Sequence, residues 1–389
     1  YYVSKGNCPS ESFASILKMA RLCGIIVGMD VASPNLRLNW INGIVICSII
    51  GYFIFSITTI VAMFEENPTF VLEASCMLGS VLQGITKLIS GFMYTKNLVE
   101  LRYELEDLYK EYEQKGSEYT VVLNKSCKRV RKVIKLFGLI YLYAMTGVIC
   151  VPIVLYVATK RRYLMMHFLI PGLDVETNFG YLLTTAAHAI CLYAGTFGLY
   201  AGDLFIVIYL LQSLLFADIF KLKIQELNTE DAKNAHKQRL MLRDIIKWHK
   251  KYNDFTTCCN NIMYYTITVQ ITTAGISILC TLFILIAGEW PGAYAYILLP
   301  IFGLYSYCML GTKIEVCNER FSCEIYDINW FMLPRSEQEL VNIMLIKSQS
   351  PATIDVAGVM PLSVGTALQI TKTIYSIFMM MVQMLVKGE

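Results

Sequence analysis

Apolar residues fall into long runs separated by shorter polar and basic segments. Runs able to cross about 30 Å of hydrocarbon, roughly 20 residues each at 1.5 Å per residue, stand near 38–63, 69–94, 136–158, 180–212, 260–288, 292–312 and 356–386. The pattern predicts an all-α integral membrane protein with seven transmembrane helices. The fourth and seventh runs are long enough to tilt or to project beyond the membrane. Composition agrees: 56% of the 389 residues are hydrophobic and 16% charged, more apolar than one soluble core of this length requires.

Seven spans place the two ends of the chain on opposite sides, and Lys and Arg decide which is which. Segments 1–38, 95–135, 213–259 and 313–355 carry 4, 10, 9 and 4 of the 33 Lys+Arg residues. The alternate side carries Lys160, Arg161 and Arg162, with Lys387 at the tail. The positive-inside rule makes the first set cytoplasmic, so the expected topology has a cytoplasmic N-terminus and an extracellular C-terminus. The sequon Asn124-Lys125-Ser126 then lies inside and stays unmodified, and Asn67-Pro68-Thr69 is spoiled by its proline. Tyr1 in place of Met reads as a trimmed start. No basic stretch, short apolar run and cleavage site opens the chain, so insertion is expected to rely on the first span. A formal net charge of +3 implies no nucleic acid. The 13 cysteines are scattered, none in an expected external loop, and no structural disulfide is expected.

Two polar segments are amphipathic helices. Leu98, Leu101, Leu105, Leu108 and Tyr112 recur at helical spacing among acidic and basic neighbours. In 236–255, Leu240, Ile245, Ile246, Trp248 and Phe255 are mixed with Lys and Arg. Three readings stay open: extensions of membrane helices packed together below the bilayer, membrane-surface or calmodulin binding, and an inter-subunit contact.

Charges inside an apolar run cost several kcal/mol, roughly, unless paired or wet, so each is a functional hypothesis. Lys87 and Asp203 lie at similar depths in the second and fourth runs; a structural pair, snorkelling to the interface and an ion path are the alternatives. Glu73 lies near enough to the outer boundary to be solvated. The last run differs. At about 100° per residue, Thr366, Gln369, Lys372, Thr373, Ser376, Met380, Gln383 and Lys387 share about a third of the helix circumference, while Leu368, Ile370, Ile374, Ile377, Phe378, Met381 and Val382 take the rest. Such a stripe belongs against water or against a polar neighbour. A pore would require several subunits, because one helix encloses nothing.

No P-loop, G-x-G-x-x-G, H-E-x-x-H or C-x-x-C zinc pair is present. His167, His188, His236 and His249 are not at metal-ligand spacing, so neither enzyme, metal nor cofactor is expected. His188, in the outer half of the fourth run, is either a hydrogen-bonded core residue or a ligand contact.

The stretch Tyr326-Asp327-Ile328-Asn329-Trp330-Phe331-Met332-Leu333-Pro334, then Ile346-Lys347-Ser348-Gln349-Ser350-Pro351, Gly358-Val359-Met360-Pro361-Leu362-Ser363 and Tyr375-Ser376-Ile377-Phe378, resembles the insect odorant receptor family. Pro171-Gly172-Leu173-Asp174 is similar to that family's second external loop. The resemblance implies a ligand-gated, non-selective cation channel of four subunits around a central pore, in the plasma membrane of olfactory sensory neurons. It implies a tuning subunit assembled with a shared odorant co-receptor, since the segment before the fifth run lacks the co-receptor's long insertion. The implied organisation is 1–212 for the N-terminal region and helices one to four with the ligand pocket, 213–259 and 313–355 for a cytoplasmic anchor, 260–312 for helices five and six, and 356–389 for a pore-lining helix.

The implied pore residues are Gln369, Lys372, Ser376, Met380 and Gln383. Met380, three positions before Gln383, replaces the valine of the co-receptor's constriction, and Lys372 is a second departure. Four copies of Lys372 facing one cation path would raise an electrostatic barrier, so a heteromer with few copies of this chain is expected. The implied odorant site lies in the outer half of each subunit. Helical spacing points there at Phe70, Ala74 and Met77, at Met145, Ile149, Pro152 and Tyr156, at Tyr181, His188 and Cys191, and at Tyr294 and Tyr296, a set suited to a small volatile organic ligand. Competing readings are a gustatory-receptor-type channel with the same architecture, a G-protein-coupled receptor, which would put the N-terminus outside, and a secondary transporter, which would prefer inverted repeats that are not seen.

Overall fold

A computed structural model describes residues 8–26, 40–65, 68–166, 168–230, 235–287 and 290–388. Eleven α-helices are present among them: α1 (Pro9–Ile26), α2 (Trp40–Met63), α3 (Pro68–Met93), α4 (Thr95–Glu113), α5 (Ser117–Thr159), α6 (Asn178–Thr229), α7 (Ala235–Ala287), α8 (Ala293–Tyr296), α9 (Leu298–Tyr326), α10 (Arg335–Ser348) and α11 (Val364–Gly388). The chain is a helical membrane protein. Six helices, α2, α3, α5, α6, α7 and α9, contain stretches long and apolar enough to cross a bilayer.

Several boundaries differ from the sequence reading, each for a physical reason. α5, α6 and α7 run 43, 52 and 53 residues, since an amphipathic stretch continues a membrane helix without any helix-breaking residue between them. The run 98–112 instead belongs to a separate helix, α4, behind a break at Tyr94. The sixth run is divided into α8 and α9. The seventh run begins as a hairpin: β1 (Asp355–Val356) pairs antiparallel with β2 (Met360–Pro361). Ala357 and Gly358 turn it at φ of 55° and 67°, the two central residues of a β-turn closed by the Val359 N–H on the Val356 carbonyl within a three-residue loop. The hairpin is pressed onto α9 at Gly311, where a Cβ would sit 1.8 Å from the Leu362 carbonyl oxygen.

At the basic end of the bundle, the two amphipathic segments bury their apolar faces against each other and against α6 and α9. Tyr112 packs on Trp248 at 5.1 Å between centroids, and Tyr252 stacks on Phe321 at 4.2 Å. Two of its buried donors find acceptors: Trp248 donates to the Phe216 carbonyl at 3.0 Å, and the Tyr252 hydroxyl to Asn318 Oδ1 at 2.6 Å. Around the core, Arg129 and Arg320 converge on Asp218 at 3.3 and 3.0 Å, and Lys251 reaches Glu104 at 3.3 Å. All thirteen cysteines are free thiols.

Candidate functional site

The other half of the bundle holds a cavity of about 160 Å³ between α2, α3, α5 and α6, capped by α8. Its walls are mainly apolar side chains and glycines; the polar groups on them are the hydroxyls of Ser48, Tyr52, Ser80, Tyr141, Thr196 and Tyr296, and Lys87 at the floor. Ser80 and Tyr296 share a hydrogen bond of 2.7 Å, and Tyr296 donates to the Cys76 carbonyl at 3.2 Å. Low polarity with a few fixed hydroxyls is the chemistry of a site for a small, mostly apolar molecule.

Of the residues singled out from sequence, Met77, Met145, Cys191 and Tyr296 line this cavity. Ala74 and Pro152 are buried and Ile149 half-buried, but none of the three reaches its wall. Tyr156 and Tyr181 do not line the cavity; they pack on each other at 5.3 Å, and Tyr181 donates to the Tyr163 carbonyl at 3.1 Å. His188 is wholly buried, with Nε2 3.1 Å from the Phe168 carbonyl oxygen. Since a carbonyl only accepts, Nε2 carries the proton. That bond pins the connector 160–177 to α6. Tyr294 is 72% exposed and turned away from the cavity, because α8 buries Ala293, Ala295 and Tyr296 instead. The Phe70 side chain and His167 lie outside the described residues. Glu73 is buried, not solvated, since α3 turns that face inward.

Sequence reasoning missed the wall supplied by α2. Ser48, Tyr52, Ser56 and Thr59 form one narrow stripe of polar groups on an otherwise apolar helix, and that stripe was the available signal. Also missed were Met166, carried in by the connector, and Tyr141, Gly202 and Phe205 towards the cavity floor.

At that floor Lys87 of α3 and Asp203 of α6 form a buried ion pair. The hydroxyls of Tyr141, on α5, and Tyr307, on α9, both donate to the same carboxylate. Four helices therefore meet at one charge. The Lys87 stem lies flat on Gly202, where a Cβ would come within 2.7 Å of Lys87 Cδ.

α11 packs on α7 and α9 through Ala367 and Ile374, which are buried, and Tyr305 shares a 2.9 Å hydrogen bond with Thr371. Gln369, Lys372, Thr373, Ser376, Met380 and Gln383 are all exposed, on the face away from the rest of the chain. Thr366 is the exception, buried and bonded to the Pro361 carbonyl at 2.7 Å. The Lys387 side chain lies outside the described residues. Among the described residues no group of His, Cys, Asp and Glu is placed to hold a metal ion.

A family model described as 7tm Odorant receptor matches residues 67–375. The chain belongs to the odorant receptor family. It is 29% identical to the putative odorant receptor 83c of Drosophila melanogaster over 395 aligned residues, covering 97% of this chain and 99% of that protein. It is 24% identical to odorant receptor 42a of the same fly over 170 residues, covering 43% of this chain and 42% of that one. Among solved structures, the insect olfactory receptor OR5 of Machilis hrabei in complex with eugenol superposes with a TM-score of 0.75 at 13% identity, covering 96% of this odorant receptor and 100% of that chain. The same receptor without eugenol gives a TM-score of 0.72 at 15% identity, with the same coverage of both chains. At those identities the likeness establishes the fold.

Proposed function

We propose that this odorant receptor is the tuning subunit of an odorant-gated, non-selective cation channel, most simply a heterotetramer with the shared co-receptor in the plasma membrane of olfactory sensory neurons. A small volatile occupies the cavity between α2, α3, α5 and α6. The observation that carries the reading is the pairing, in one chain, of an apolar cavity with a last helix that leaves Gln369, Lys372, Thr373, Ser376 and Gln383 exposed. The eugenol complex of a receptor with this fold supports a small organic molecule as the ligand. The basic end of the bundle is taken as cytoplasmic by its Lys and Arg content, and its aromatic core then serves as the anchor between subunits.

Gating follows from differential binding. An odorant that fits the open arrangement better than the closed one shifts the population towards opening, by no more than that difference in affinity. Asp203 joins cavity-lining Lys87 and Tyr141 to Tyr307 on α9, and α9 holds α11 through Tyr305 and Thr371. The test is co-expression with the co-receptor and a panel of volatiles, recording current in excised patches without nucleotide. Odorant-evoked current there supports the channel; a response that requires nucleotide contradicts it.

A further inference from the structure

α2 leaves an open groove against α6, lined by Trp40, Ile44, Cys47, Phe55 and Ala187. Trp40 is 77% exposed, and Ile44 and Cys47 are exposed as well. Ser48, Tyr52 and Cys191 line both this groove and the cavity. A single layer of side chains therefore separates the cavity from the lipid-facing surface. Glycine leaves room along the groove: a Cβ at Gly43 would meet nothing within 4 Å, and one at Gly51 only Phe55 at 3.9 Å.

The end of the cavity facing the connector is closed much more firmly. Met165, Met166 and Phe168 of the connector are buried. Phe168 packs edge-on to Tyr52 at 5.3 Å and to His188 at 4.3 Å. Its carbonyl meets His188, and the next backbone N–H, of Leu169, donates to Thr59 Oγ1 at 2.9 Å. Passage there requires breaking the backbone bonds to His188 and Thr59 as well as unpacking Phe168, whereas passage through the groove, which Phe168 also lines, requires Tyr52 to swing off the Phe168 ring and leaves those two bonds in place.

We infer that an apolar ligand reaches the cavity sideways from the hydrocarbon, through the α2–α6 groove and past Tyr52. This rests on the reading of the cavity as the ligand site. Small apolar molecules concentrate in the bilayer because water expels them, so the lateral route also draws on the richer reservoir. An obstacle on an access route raises one barrier shared by both directions. It slows association and dissociation alike and leaves their ratio, the Kd, in place.

The test uses the purified full chain in lipid nanodiscs, with binding of the apolar fluorophore N-phenylnaphthylamine followed by stopped flow and its release chased with eugenol. Ala187→Phe and Gly51→Leu fill the groove without touching the cavity wall, and Thr59→Val loosens the connector. The groove substitutions are expected to slow both rates about tenfold with Kd within about twofold, and Thr59→Val to change neither rate. Unchanged rates in the groove variants with acceleration by Thr59→Val would overturn the proposal in favour of access from water. A change confined to dissociation would overturn it too, since the groove would then be part of the binding site. Absence of saturable binding to the wild-type chain would remove the cavity reading and the portal together. Saturable binding without odorant-evoked current in cells would end the channel reading alone, and the rates would still decide the portal.

Discussion

The carboxylate of Asp203 takes the Lys87 ammonium and the hydroxyls of Tyr141 and Tyr307 at one point inside the bundle. Breaking a buried pair from one side costs about 3–5 kcal/mol, whereas replacing both partners with apolar residues is often close to neutral. Lys87→Met leaves the carboxylate with two tyrosine donors, and Asp203→Leu leaves a buried ammonium with none of its present partners. Asp203→Leu is therefore expected to lower thermal stability more than Lys87→Met. The double variant should recover most of the loss, in a double-mutant cycle read from melting of the detergent-solubilised chain.

The anchor core responds to acid through His249. Burial between Phe220, Phe321 and their neighbours, aided by the charge of Lys347, pushes its pKa down from 6.5 to about 4. The folded state thus resists a proton that the unfolded state accepts. Its contribution is complete above pH 6.5 and is lost as pH falls from there towards 4. Between neutral pH and pH 5 the loss should be about 2 kcal/mol. His249→Gln should flatten that part of the stability profile, as measured by denaturant melts across the pH range.

Much of the fold was legible because a bilayer imposes a single length scale on apolar runs. The runs behind α2, α3, α5, α6, α7 and α9 follow from hydropathy; helical spacing of Leu, Ile and Trp marks 98–112 and 236–255 as amphipathic helices but leaves open what covers their apolar faces. Hydropathy alone did not show where apolar residues cease to be helix. Residues 355–361 are as apolar as the helix after them, and only the positive φ at Ala357 and Gly358 separates hairpin from span. The cavity was harder to read. Met77 and Tyr296 lie on recognisable inner faces, but Tyr52 lies on a helix apolar nearly all round, and Met166 arrives from a connector whose inward fold depends on a long-range bond to His188. Lys87 and Asp203 are conspicuous as charges in apolar runs, whereas nothing in one sequence marks Tyr141 and Tyr307 as their partners.

Lys372 sits exposed on the polar face of α11. In a heteromer with the co-receptor, one or two lysines beside a cation path raise a local barrier that neighbouring neutral subunits offset. Lys372→Gln should increase single-channel cation conductance, with a larger effect at low ionic strength, where screening is weak. Conductance unchanged by the substitution at both low and high salt would place Lys372 away from the ion path. Robust odorant-evoked current from this subunit expressed alone would contradict the heteromer.

The central claim is that the exposed stripe of α11 faces water along the ion path. Single cysteines at Ser376 and Gln383, co-expressed with the co-receptor, can be challenged with a charged methanethiosulfonate while odorant holds the conductance open. The account predicts progressive, irreversible block at both positions, faster with odorant than without and absent from the unsubstituted chain. Full current after prolonged exposure, with both cysteines still unmodified, would contradict it.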